Sequence, residues 1–150
     1  MKKMMMILGL VALGTPASAQ VADWMVGEWR TNARLTAPDG AQLRIRCTLD
    51  AEPGGTGWTG VLGCATVQGR FEGRWDVAIS GGSASGAVAF SGSETGQFAV
   101  NGPASAEAVT LNGEDGQSVR FSPGADGSIV VEMQALGPQR LTGPLTFEAR

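Results

Sequence analysis

Hydrophobic and polar residues alternate in steps of two along much of this chain, most clearly in residues 41–79. Three strand-like runs follow one another there. Because successive side chains of a β-strand point to opposite faces, each run has an apolar face and a charged face. The apolar positions are Leu43, Ile45, Cys47, Leu49, Leu62, Cys64, Phe71, Trp75, Val77 and Ile79. The charged positions are Arg44, Arg46, Arg70, Glu72, Arg74 and Asp76. The pattern predicts an antiparallel sheet with one buried face.

The register of these three runs follows from matching their faces. An antiparallel pairing that places Cys47 opposite Cys64 makes both faces of the first hairpin consistent. Folding the third run back over residues 68–69 then places Trp75 opposite Leu62. A slip of one residue would turn every side chain of a strand to the wrong face, so the alternation favours this arrangement.

Turn-forming dipeptides divide the remainder of the chain into short strands at a spacing of roughly 8–12 residues. They include Asn101-Gly102, Asn112-Gly113, Asp115-Gly116 and Asp126-Gly127. No amphipathic helical period follows the first few residues after position 20. We therefore predict a single all-β domain over residues 20–150, an antiparallel meander of about 8–10 strands closed into an up-and-down barrel. A β-sandwich is the alternative. The charged strand face argues against an outer-membrane barrel, which needs an apolar outer face.

The N-terminal segment has the features of a secretory signal peptide. Lys2 and Lys3 precede an apolar run over residues 4–14, and Ala17 and Ala19 form a small-residue cleavage site. We expect residues 1–19 to be removed after Ala19, which places the protein in the periplasm or outside the cell. The apolar run is too short for a stable membrane span, so no span is expected after cleavage.

Composition after cleavage limits the partners and the redox state. Lys2 and Lys3 account for two of the 11 basic residues, so 9 arginines against 14 acidic residues give a formal charge of −5. This balance argues against a nucleic-acid partner, which requires a basic footprint. The two cysteines, Cys47 and Cys64, are expected to form a structural disulfide in an exported chain. Their spacing is not that of a redox motif.

Several chemistries lack the residues that they need. The sequence has no histidine and no tyrosine, and its only lysines lie in the expected signal peptide. Histidine-based triads, lysine nucleophiles and histidine ligation of zinc or haem are therefore excluded. Glu72 and Asp76 share a strand face with arginines, which is typical of solvated ion pairs. We expect no enzyme activity, no cofactor and no metal.

Two places could bind a partner. The outer face carries Arg44, Arg46, Arg70 and Arg74, a candidate surface for an anionic partner or for another protein, although a solvated barrel exterior is the favoured interpretation. In the register above, Arg46 and Glu72 would flank Ala65. The second place is the barrel interior, which could be hollow or filled. Its candidate cavity-lining residues are Ile45, Leu49, Leu62, Trp75, Phe90 and Phe98.

The opening Gly27-Glu28-Trp29, after a short helical turn, resembles the Gly-x-Trp start of calycin barrels such as lipocalins and fatty-acid-binding proteins. The resemblance implies that Trp29 plugs one end of the barrel and that an arginine near the last strand packs over it. Arg140 or Arg150 would be that cover, and we assign the role to Arg140.

A second resemblance covers most of the chain. The chain looks like a family of small exported alphaproteobacterial proteins in its motifs Gly27-Glu28-Trp29, Arg44-Ile45-Arg46-Cys47, Cys64-Ala65, Gly81-Gly82 with Ser85-Gly86, and Gln139-Arg140. The resemblance implies export, a disulfide and a β-rich fold, and it implies no activity.

Two function classes follow from these observations. The first is a monomeric, non-catalytic binding protein that holds a small apolar or amphipathic ligand inside the barrel. The second is an envelope interaction module, such as an inhibitor of a protease or a lysozyme, in which residues 20–24 would enter the enzyme cleft. The second rests on analogy between folds.

Overall fold

A closed barrel of ten antiparallel strands is formed in the computed structural model, which describes residues 23–92, 96–136 and 140–150. Each strand pairs with its neighbours in the chain, and β1 pairs with β10 to complete the circle. The strands are β1 (Gly27–Thr36), β2 (Gln42–Gly54), β3 (Gly57–Thr66), β4 (Gly69–Ser80), β5 (Ser83–Gly92), β6 (Gly96–Pro103), β7 (Val109–Asn112), β8 (Ser118–Pro123), β9 (Ile129–Leu136) and β10 (Leu141–Ala149). The prediction of an up-and-down barrel, consistent with a calycin-like fold, is confirmed, and the sandwich alternative is not adopted.

Helical structure is confined to two short segments of the described chain. Residues 23–25 form a helical turn before β1, and Ala125–Gly127 forms a 3-10 turn between β8 and β9. The signal peptide expected in residues 1–19, with its cleavage after Ala19, lies outside the described residues.

The core sits inside the barrel, on the apolar face that the alternation predicts. Ile45 and Leu49 on β2 are fully buried, while the arginines between them are exposed. Cys47 and Cys64 face each other on β2 and β3, with their Cα atoms 4.2 Å apart, and form the predicted disulfide. No charged or polar side chain is buried among the described residues.

The second hairpin differs from the predicted register. The β3–β4 turn consists of Val67 and Gln68, so Trp75 lies opposite Gly60 and not opposite Leu62. A shift of two residues keeps every side chain on its own face, so alternation cannot detect it. Side-chain size decides the register instead, because a Cβ on Gly60 would overlap the indole nitrogen of Trp75.

Three aromatic rings fill the middle of the barrel. Phe121 on β8 contacts Trp58 edge-on, with ring centroids 6.1 Å apart, and contacts Trp75 with centroids 5.5 Å apart. Trp58 is completely buried and Trp75 is 8% exposed. These side chains come from β3, β4 and β8, so the rings join opposite walls of the barrel.

The pairing is sparsest between β6 and β7. In the described chain these strands pair at Asn101 and Asn112, with one isolated bridge between Ala104 and Val109. The Asn101-Gly102 dipeptide, predicted as a turn, lies inside β6. Gly102 approaches β7 so closely that a Cβ would overlap the carbonyl oxygen of Thr110, so close packing of two strands explains this glycine.

Trp29 is the third residue of β1 and lies near the end of the barrel at which that strand begins. Its side chain is 7% exposed, and its indole nitrogen donates a hydrogen bond to the carbonyl oxygen of Met25 at 3.1 Å. Gly27 has a φ of +146° and would bring a Cβ within 3.4 Å of the indole ring. A side chain at position 27 would therefore be strained and would crowd the ring. These contacts give a physical reason for the Gly-x-Trp spacing.

The two candidate arginine covers lie at opposite ends of the barrel. Arg140 precedes β10, at the end away from Trp29, and donates a hydrogen bond to the carbonyl oxygen of Asp115 at 3.2 Å. Arg150 follows β10 beside the Trp29 end, where its guanidinium lies 3.5 Å from carboxylate oxygens of both Glu28 and Asp50. The arginine near Trp29 is therefore Arg150 and not Arg140.

Candidate functional site

A groove of about 880 Å³ crosses the outer surface of the barrel. It runs over β10, β1, β2, β3, β4 and β5, which are consecutive neighbours in the sheet. Its outward-facing lining residues are Arg30, Asn32, Arg46, Thr48, Gly63, Ala65, Arg70, Glu72, Ser91, Thr146 and Glu148. The groove is concave because short side chains on the central strands lie between longer ones on the flanking strands.

Two arginines face each other across the floor of this groove. Arg46 on β2 and Arg70 on β4 both lie directly opposite Ala65 on β3, one from each side. Neighbouring strands are about 4.8 Å apart, so the two arginine backbones are separated by roughly 10 Å. Both side chains are exposed. The methyl group of Ala65 leaves the space between the guanidinium groups open.

A third arginine belongs to the adjacent row of the same groove. Arg30 on β1 lies opposite Thr48, and Thr48 lies opposite Gly63. On its other side Arg30 is opposite Glu148, but the two side chains do not form an ion pair. Arg30 therefore extends the small-residue floor and its positive border onto β1.

Two further arginines form a like-charge pair beyond the groove. Arg34 on β1 lies directly opposite Arg44 on β2, and both are exposed. Like charges directly opposite each other destabilise a sheet. No acidic side chain in the described part of the chain pairs with either of them. The fold thus keeps an unfavourable electrostatic arrangement at this place.

The remaining arginines have partners. Arg74 pairs with Glu72 at 2.7 Å, Arg120 pairs with Glu132 at 3.0 Å, and Arg150 pairs with Glu28 and Asp50. Arg140 is held by a backbone carbonyl group. The five arginines that lack an ion pair or hydrogen bond within the described residues all lie on β1, β2 and β4. We call this set the arginine face: Arg30, Arg34, Arg44, Arg46 and Arg70.

The arginine face differs in part from the predicted patch. Arg44, Arg46 and Arg70 belong to it as expected, but Arg74 is neutralised by Glu72. The shifted β3–β4 register places Arg70, and not Glu72, beside Ala65. Sequence reasoning missed Arg30 and Arg34, although the spacing of Arg30, Asn32 and Arg34 along β1 carried the same alternation signal.

One apolar side chain projects next to this face. Val67 lies in the β3–β4 turn and is 88% exposed, which makes it the exposed large hydrophobic residue of the described chain. The turn is ordered by a hydrogen bond from the backbone nitrogen of Gln68 to the hydroxyl group of Thr66 at 3.1 Å. Arg70 is the second residue of β4, the strand that follows this turn.

The barrel interior contains a cavity of about 20 Å³. Five of the six predicted lining residues border it, namely Leu49, Leu62, Trp75, Phe90 and Phe98. Ile45, the sixth, is fully buried elsewhere in the core. Sites for drug-sized ligands are typically about 300–1,000 Å³. The interior of this barrel is therefore filled by its own side chains.

Half-buried aromatic residues line the mouth of this cavity. Phe90 stacks on Phe98 with ring centroids 5.7 Å apart, and Phe71 contacts Phe90 at 6.4 Å. Phe98 also packs close to Gly113 at the end of β7. The rings close the interior at the end of the barrel away from Trp29.

The described residues contain no group of three or more His, Cys, Asp or Glu side chains that could hold a metal ion. Within the same ranges, no helix is long and apolar enough to cross a membrane. The chain matches no protein-family model, and no curated protein matches it.

Proposed function

We propose that this protein is a non-catalytic binding protein of the periplasm or the extracellular space, and that its arginine face binds an anionic partner. The proposal rests on the observation that Arg46 and Arg70 flank Ala65 and that neither has an acidic partner in the described chain. An oxyanion on the Ala65 floor would be within reach of both guanidinium groups.

The chemistry of arginine supports an anionic partner. A guanidinium group presents its donors in a planar fork that matches carboxylate, sulfate and phosphate groups. Arg30 lies one strand away from Arg46 and can contact a second anionic group of the same partner. A partner with repeated negative charges therefore suits this surface better than a single small anion.

The charge distribution of the whole chain strengthens the proposal. The sequence is acidic overall, with a formal charge of −3, yet five arginines that have no ion pair within the described residues share one side of the barrel. Arginines elsewhere pair with Glu28, Asp50 or Glu132. Glu72 and Glu148 also line the groove, but neither forms an ion pair with Arg30, Arg46 or Arg70.

The proposed location rests on the disulfide and on the expected signal peptide. Disulfides persist in oxidising compartments, and Cys47 and Cys64 are bonded. The resemblance to small exported alphaproteobacterial proteins supports the same location. The proposed inhibitor segment, residues 20–24, lies mostly outside the described residues.

A second candidate function is the transport of a small apolar molecule inside the barrel. The observation that favours it is the apolar cavity beneath Phe90 and Phe98, next to the sparsely paired β6–β7 seam. This function would require the aromatic rings to move, because about 20 Å³ holds no more than one water molecule. The outer face requires no such movement.

The proposal is tested with dextran sulfate as a soluble polyanion. We expect salt-sensitive binding, since screening weakens exposed charge pairs. The double variant Arg46→Gln/Arg70→Gln should bind about tenfold more weakly or worse, because a hydrogen bond to a charged group contributes about 1.5–3 kcal/mol. The matched control Arg120→Gln/Arg140→Gln removes the same charge from other parts of the barrel and should bind like the parent protein. If both double variants lost affinity for dextran sulfate to the same extent, Arg46 and Arg70 would not form the binding site.

A further inference from the structure

Val67 lies where an apolar side chain is least expected, at the tip of a two-residue turn with its side chain 88% exposed. Isolated exposed hydrophobic residues need no explanation by themselves. This one, however, lies at the tip of the hairpin of β3, which carries Ala65 between Arg46 and Arg70, and β4, which carries Arg70. Ala65 precedes the turn on β3 and Arg70 follows it on β4.

The arginine face extends to the same end of the barrel as Val67. Arg34 lies two residues before the end of β1 at Thr36, and Arg44 lies two residues after the start of β2 at Gln42. These ends and the Val67 turn lie on the same side because neighbouring strands are antiparallel. The barrel thus has one corner that combines an apolar tip with several unpaired guanidinium groups.

We propose that this corner docks on an anionic lipid surface, with Val67 entering the apolar boundary and the arginines contacting headgroup phosphates. The inference rests on the proposed function and specifies its partner. Reversible peripheral membrane binding combines two elements, basic residues that attract anionic headgroups and apolar side chains that enter the apolar boundary. A soluble polyanion would contact the guanidinium groups but would gain nothing from contact with the apolar side chain of Val67.

Among the described residues, three acidic residues in the turns and loops at this end affect how the barrel would be oriented. Asp39 lies in the β1–β2 turn, where its carboxylate accepts a hydrogen bond from the backbone nitrogen of Ala41. Glu114 and Asp115 lie in the β7–β8 loop, across the mouth from β1–β4. If the barrel axis stood perpendicular to the membrane, this acidic loop would also meet the anionic surface. The barrel therefore docks tilted, with the β2–β4 side toward the lipid and the β7–β8 side away.

Sedimentation with vesicles tests this inference. The purified protein is mixed with vesicles of equal parts phosphatidylglycerol and phosphatidylcholine, or of phosphatidylcholine alone. We expect binding to the anionic vesicles only. Arg44→Gln/Arg70→Gln should weaken it by more than tenfold, since each basic residue near such a surface contributes about fivefold. The control Arg120→Gln should bind like the parent protein.

Val67 supplies the decisive variants. Val67→Ser should lower vesicle binding several-fold while leaving dextran sulfate binding unchanged. Val67→Leu keeps an apolar side chain at the tip and should bind vesicles at least as well as the parent protein. Val67→Trp should show a blue-shifted emission on adding anionic vesicles. Each exposed substitution is first checked for an unchanged melting temperature.

The outcomes separate this inference from the proposed function. Vesicle binding that is indifferent to Val67→Ser would overturn the insertion of the tip. Retained dextran sulfate binding without vesicle binding would overturn the lipid partner and leave the arginine face as a polyanion site. The absence of both would overturn the proposed function as well.

Discussion

Trp75 lies directly opposite Gly60, and the indole nitrogen of Trp75 occupies the place where a side chain on Gly60 would begin. Leu62, two residues further along β3, lies opposite Gly73. Two large inward side chains of this hairpin, Leu62 and Trp75, therefore each face a glycine. The pairing allows two wide rings, Trp58 and Trp75, to pack against Phe121 within one narrow barrel.

Gly60→Ala should destabilise the barrel by about 1–3 kcal/mol, the cost of overpacking a close-packed core. The indole ring of Trp75 would have to leave its position to accommodate the new methyl group. Gly63→Ala is the matched control, because a Cβ there would meet only the hydroxyl oxygen of Thr48 at an ordinary 3.6 Å. Urea unfolding of the two variants should separate them clearly. Similar stabilities would mean that Trp75 does not depend on Gly60 for its space.

Reduction of the Cys47–Cys64 disulfide should lower the melting temperature and preserve the β-type circular dichroism spectrum. The bond spans a sequence separation of 17 residues and contributes about 3 kcal/mol in the chain-entropy model. The barrel should persist because its hydrogen-bonded ladders do not depend on this bond. Thermal melts with and without reductant make the measurement. An identical melt in both conditions would be incompatible with a stabilising disulfide.

Trp29→Ala should lower the free energy of unfolding by about 3–5 kcal/mol, as truncation of a large buried aromatic side chain does. The substitution would empty the space that the indole ring fills and remove the hydrogen bond to Met25. Arg140→Gln serves as the comparison, since Arg140 is exposed at the other end of the barrel and its loss should change stability little. Chemical denaturation gives both values. A loss below about 1 kcal/mol for Trp29→Ala would remove its role as a plug.

Arg44→Glu should stabilise the protein and weaken its binding to dextran sulfate. The new carboxylate would lie opposite Arg34, so a repulsive cross-strand pair becomes an attractive one, a change of about 0.2–1 kcal/mol or more. A gain in stability with a loss of binding is typical of residues retained for function.

The reciprocal control is Arg120→Glu, which would place a carboxylate opposite Glu132 and should destabilise the barrel. Thermal melts and binding titrations on both variants complete the comparison. If Arg44→Glu destabilises the protein, the Arg34–Arg44 pair does not lower the stability of the barrel, and the proposal that it is retained for binding fails.

Much of the barrel could be predicted from the period of two in the sequence. Alternation separates Ile45, Cys47 and Leu49 from the arginines between them, because a strand sends successive side chains to opposite faces. The disulfide register of β2 and β3 follows from the same pattern. The outward direction of Arg44, Arg46 and Arg70 was also predictable, since a charged side chain is rarely buried without a partner.

Only the tertiary structure decided how these local elements combine. Alternation is blind to a shift of two residues, so the fit of Trp75 against Gly60 determined the β3–β4 register and placed Arg70 beside Ala65. Pairing of β1 with β2 added Arg30 and Arg34 to the arginine face. The filled interior likewise depends on how Trp58, Trp75 and Phe121 meet across the barrel. The sequence determines the direction of each side chain through local strand geometry, whereas side-chain volumes and charges from distant strands determine which residues meet.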